Sequence, residues 1–207
     1  WSVLDKQGAD AVRWYFYTAS APWIPTRFDA SLVSETQRKF MGTLWNTYAF
    51  FTTYAEIDGY DPSKYDLKNC KLSLTDRWIL SKLNTLVKNT DEGLARYEIT
   101  ETARAIQDFV DILSNWYVRV GRERYWGEGL TEDKIAADTT LYTVLTTLAR
   151  LIAPYTPFMA EQMYQNLVRN FYPDAPESVH LDRYPVADES YIDEKLEADM
   201  ELTEKIT

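Results

Sequence analysis

Asn115, Arg119, Arg122 and Trp126 follow one another at spacings of four, three and four residues. On an α-helix, at about 100° per residue, they fall within about 60° of one another. An amide, two guanidiniums and an indole on one stripe can hold phosphates and stack an unpaired base, which is the chemistry a single-stranded RNA loop demands. The competing reading pairs these arginines with acids of neighbouring helices and lets Trp126 cap a core. Ile106, Phe109, Leu113, Trp116 and Val120 cluster about 130° away, so Trp116 and Val120 are expected to pack inside. Arg124 falls on that packing side, where it would snorkel past the helix end or join an internal ion pair.

Other chemistries find little support. The chain has one histidine, His180, and one cysteine, Cys70. Zinc sites need four Cys, His or carboxylate ligands and a thiolate or imidazole triad needs a histidine near its nucleophile, so most such chemistries cannot be assembled from these residues. A lone cysteine cannot form an internal disulfide, which favours a reducing, cytoplasmic setting. The carboxylates at one-turn spacing, Asp108 with Asp111 and Glu98 with Glu101, lack an accompanying histidine and read as solvated faces. There is no glycine-rich phosphate loop.

The elements that must carry the stripe are legible from the rest of the chain. With 207 residues, 45% hydrophobic and 26% charged, it can bury a sizeable core. No apolar run reaches the length of a membrane span, so a soluble protein without a membrane partner is expected. The first residue is tryptophan, with no basic and apolar leader, which suggests a piece of something longer. The net charge of -10 is concentrated at one end: residues 174–207 carry net -8, leaving a body near neutrality at -2. Local basic patches on that body can therefore still choose a polyanionic partner.

Apolar residues recur at spacings of three and four almost throughout, which predicts an all-α fold, an antiparallel helix bundle. Helices are expected over 10–19, before Pro22 and Pro25, and over 31–57, with Phe40, Leu44, Thr47, Phe51 and Tyr54 on one stripe. Further helices should start at Thr75 and Asp76, span 100–126 behind a Thr100 cap, and span 131–153 behind Thr131. After the break at "PYTP" another should cover 158–171. Beyond Tyr172 the chain turns proline-rich, with 179–181 a possible short strand. It closes in an acidic amphipathic helix bearing Ile192, Leu196 and Met200, either a lid on the bundle or a linker.

Several whole segments resemble one family. "LDKQGADAVRWYFYTASAPW" is similar to the stretch that follows the KMSKS signature of class I aminoacyl-tRNA synthetases. "KFMGTLWNTYAFFTTYAEIDGYDP", "LTDRWILSKLNTLVKN", "FVDILSNWYVRVGRERYW", "LARLIAPYTPFMAEQMYQNL" and "ESVHLDRYP" resemble, in order, the anticodon-binding helical domain of the isoleucyl type. Valyl and leucyl types share the bundle but differ at "SAPW" and "NWYVR". The resemblance implies a class I synthetase anticodon-binding bundle over 28–173, a junction after the catalytic core over 1–27, and an acidic segment over 174–207 leading to a further C-terminal region. It also implies a parent that joins isoleucine to its tRNA using ATP with magnesium, and that carries zinc elsewhere; no cofactor and no catalytic residue falls within this chain. Matched to the family pattern, Asn115, Trp116, Arg119, Arg122, Arg124 and Trp126 would face the anticodon arm of an isoleucine-accepting tRNA. The leading alternative from another class is a protein-interaction bundle, whose aromatic surface and acidic helix would bind partner helices.

Overall fold

A computed structural model describes residues 1–206. Ten α-helices account for most of them: α1 (Ser2–Gln7), α2 (Ala9–Ala19), α3 (Ala30–Thr36), α4 (Thr43–Asp58), α5 (Leu74–Ala95), α6 (Ile99–Ile112), α7 (Arg119–Trp126), α8 (Glu132–Ile152), α9 (Pro157–Tyr164) and α10 (Glu194–Ile206). Among the described residues there is no strand. Val179–Leu181, expected as a strand, is a single 3-10 turn, because Ser178 caps it by accepting from the His180 amide. The opening residues form the short helix α1.

Local chemistry sets the helix ends. α5 begins one step earlier than Thr75. Ser73 accepts from the Asp76 amide while the Asp76 carboxylate accepts from the Ser73 amide, a reciprocal capping box. Thr131 caps α8 as expected, with Glu132 and Asp133 at the positive end of the helix. Thr100 does not cap α6. It is buried in the first turn and its hydroxyl donates to the Ser20 carbonyl. Gly59, at φ 62°, stops α4 in the left-handed region that favours glycine.

Three helices contain a π-turn: Gln37–Gly42 joins α3 to α4, Leu113–Val118 joins α6 to α7, and Gln165–Arg169 extends α9. Each absorbs an extra residue, so residues beyond it sit about 100° back in phase relative to an unbroken α-helix.

A main core runs through the bundle, with a smaller cluster of Ala11, Tyr15 and Val33 beside it. Trp78, Leu80, Ile106, Leu113, Leu141, Leu148 and Tyr164 are all buried in the main core. Trp14 of α2 stacks on Phe40 at 3.7 Å and meets the edge of Tyr155 at 5.8 Å, which fixes the N-terminal helices to the bundle. α2 also brackets the break between α8 and α9. Arg13 donates to the carbonyls of Pro154 and Tyr155, and the Asp10 carboxylate accepts from the amides of Phe158 and Met159 at the start of α9. Opposite charges thus meet the two helix ends at that break. α5 and α6 approach so closely that a Cβ on Gly93 would lie 2.5 Å from the Thr102 methyl.

The acidic tail folds back along α5. Glu197 accepts from the hydroxyls of Ser81 and Thr85, Lys88 pairs with Glu189 at 3.0 Å, and Met200 is buried. No helix among the described residues is long and apolar enough to cross a membrane.

Candidate nucleic-acid interface

The segment from α6 through its π-turn to α7 carries every residue the sequence singled out. Asn115, Arg119, Arg122 and Trp126 are all exposed. Arg119 engages no carboxylate among the described residues. The Arg122 guanidinium lies over the Trp126 ring at 5.3 Å, a cation–π pair on a tryptophan that is 52% exposed. Asn115 spends its amide on Asp111, to which its Nδ2 donates at 2.6 Å.

Three residues depart from the expected arrangement, and the π-turn explains the first of them. Val120 was expected inside and is 60% exposed, while Tyr125 is buried. Setting the phase back by about one residue turns Val120 outward and brings Tyr117, Val118 and Tyr125 onto the core face. Trp116, expected as core, is only half-buried and lies edge-on to Trp78 at 5.1 Å.

Arg124 is the third. It is not a free cation. Its Nη1 and Nη2 donate to the two Asp76 oxygens at 2.7 and 2.9 Å, and its Nε and Nη2 donate to Asp133 at 2.9 and 2.8 Å. The fork is consumed by carboxylates, so Arg124 occupies the internal ion pair that its angle allowed. Asp76 is wholly buried and also accepts from the Tyr117 hydroxyl at 2.7 Å. Burial alone would raise the Asp76 carboxyl, but hydrogen bonds from Arg124 and Tyr117 outweigh it and hold the group below its ordinary value. Burial pushes the Tyr117 phenol well above its ordinary value.

Sequence reasoning missed Asp76, Tyr117 and Asp133 as parts of this arrangement. The capping-box spacing of Ser73 and Asp76 was visible. Nothing in the chain announced that the same carboxylate would receive an arginine 48 residues away.

A second tie lies beneath the end of α7. Lys134 is buried, donates to the Gly127 carbonyl at 2.7 Å and pairs with Asp58 at 2.5 Å. No group of three or more His, Cys, Asp and Glu side chains among the described residues could hold a metal ion. His180 is exposed in the tail.

The helix bundle is of the class I synthetase anticodon-binding type. The family profile described as "Anticodon-binding domain of tRNA ligase" matches residues 76–207, and the chain belongs to that family. Among curated relatives, the isoleucine–tRNA ligase of Clostridium novyi is 56% identical over 204 residues, covering 99% of this chain and 20% of the relative. That of Dehalococcoides mccartyi (strain ATCC BAA-2266) is 52% identical over 206 residues, again with 20% of the relative covered. The chain thus spans about a fifth of the length of these relatives. Among solved structures, the LeuRS of Agrobacterium radiobacter K84 in a ternary complex with tRNA and LeuAMS shares the fold at TM-score 0.63 and 17% identity, over 93% of this chain and 21% of that one.

Proposed function

We propose that this chain docks the anticodon arm of an isoleucine-accepting tRNA within an isoleucine–tRNA ligase, a cytoplasmic enzyme that joins isoleucine to tRNA using ATP with magnesium. Residues 1–27 form the junction to the catalytic core, 28–173 the docking bundle, and 174–207 the lead into a further region that carries the family's zinc. No bond is made or broken here. The ridge supplies binding energy and orientation, so that the acceptor end reaches a catalytic site elsewhere. The observation that carries this reading is the exposure of Arg119, Arg122 and Trp126 on one helix, with neither arginine paired to a carboxylate among the described residues, in a chain of this family.

Arg119→Ala combined with Arg122→Ala should weaken tRNA binding by the full-length protein about tenfold or more, and lower the salt slope of log K by about 0.7 for each phosphate no longer neutralised. Melting temperature should change little, because exposed cations contribute little to folding. Unchanged affinity and slope would remove the ridge from the interface. The 207-residue chain by itself is expected to bind tRNA poorly at physiological salt, since a body of net -2 with a tail of net -8 lacks long-range attraction for a polyanion. Tight binding by filter retention would contradict that.

A further inference from the structure

α7 continues α6 through a π-turn, and side chains from neighbouring helices tie it down beyond that turn. Three pins hold it. Tyr117, in the π-turn, is tied to Asp76 at the start of α5; Arg124, within α7, is forked between Asp76 and Asp133 at the start of α8; Gly127, just past its end, is tied to Lys134. The exposed residues Arg119, Arg122 and Trp126 lie on the helix these pins fix.

We propose that Asp76, Asp133 and Tyr117 are positioning residues for tRNA binding: through Arg124 and the π-turn they hold α7 so that Arg119, Arg122 and Trp126 meet the RNA together, and none of the four contacts it. The inference rests on the docking role assigned above. Ordering the ridge during folding, rather than on binding, removes an entropic cost from the encounter.

The sign of the effect separates this from electrostatics. Asp76 and Asp133 are negative, so Coulomb repulsion alone predicts that removing either charge tightens the grip on a polyanion. Positioning predicts the reverse. The Asp133 side chain is 59% exposed, so Asp133→Asn should fold, and Tyr117→Phe removes one hydroxyl from the same network. Asp76→Asn is the deeper variant.

Binding of an isoleucine-accepting tRNA transcript by the full-length protein is measured for each variant, alone and combined with Arg119→Ala and Arg122→Ala. Asp133→Asn and Tyr117→Phe should each weaken binding roughly 3- to 30-fold with both arginines present, and clearly less without them, where only Trp126 remains to be positioned. Binding that is unchanged or tighter with the arginines present overturns the proposal. So does an equal loss in both backgrounds, which a general structural defect would give. If the double arginine variant itself binds like the parent, the docking role falls and this inference with it. If that variant binds weakly while Asp133→Asn and Tyr117→Phe do not, only the positioning role falls.

Discussion

Arg124→Ala is expected to lower the unfolding free energy at neutral pH by about 3–5 kcal/mol, because it leaves the fully buried Asp76 carboxylate with two hydrogen bonds and no counter-charge. In a domain of this size that is a fall in melting temperature of roughly 6–20 °C. The loss should depend on pH with a definite sign. In the parent, the Asp76 carboxyl sits below its unfolded value, so its contribution is present above that value and disappears as pH falls through the folded one. Without Arg124, burial becomes the dominant influence and raises the group, so protonation would relieve the buried charge. The difference between variant and parent should therefore shrink toward about pH 4 in urea titrations run along a pH series. A difference that stays constant with pH would mean that Arg124 contributes packing rather than charge.

The second large effect concerns Asp138, on α8 beneath the same end of the bundle. Its side chain is fully buried and neither carboxylate oxygen has a hydrogen-bond partner among the described residues. Burial pushes its pKa up to about 7, with nearby Lys134 and Arg124 pulling down and Asp58 adding to the rise. A carboxyl raised on folding holds its proton where the unfolded chain has released it, so stability declines as pH climbs from about 4 to about 7 and stays lower above. Asp138→Asn carries no such proton. Relative to this variant, the parent should lose on the order of 4 kcal/mol between about pH 4 and pH 8, whatever constant offset the amide introduces. Parallel stability curves across that range would show that Asp138 ionises in the fold as freely as in the unfolded chain.

Periodicity alone carried the helical class, the approximate helix spans and the outward stripe of Asn115, Arg119, Arg122 and Trp126, because one-face burial at 3.6-residue spacing is a local property of the sequence. It could not carry phase across Leu113–Val118. A π-turn leaves no compositional mark, so a wheel drawn at constant pitch sent Val120 inward and left Tyr125 unassigned. Arg124 shows a different limit. Its angle correctly placed it on the packing side, but its partners Asp76 and Asp133 lie on other helices, and only the tertiary fold brings them within reach. The Val179–Leu181 turn and the true cap of α6 failed for a third reason: short-range hydrogen bonding from Ser178 and burial of Thr100 overrode weak local preferences.

The π-turn between α6 and α7 also gives this helix an unusual tolerance of length. Deleting one residue from a buried α-helix ordinarily rotates all that follows by about a quarter turn. Within Leu113–Val118 a deletion would instead let the widened coil close to normal pitch, and Arg122 and Trp126 would keep their outlook. Tightening the same coil at constant length would swing them sideways. A segment drawn tight in some sequences and slack by one residue in others would thus present the same face to its partner, and gaps at this place in comparisons of such chains need not signal a change in what that face meets.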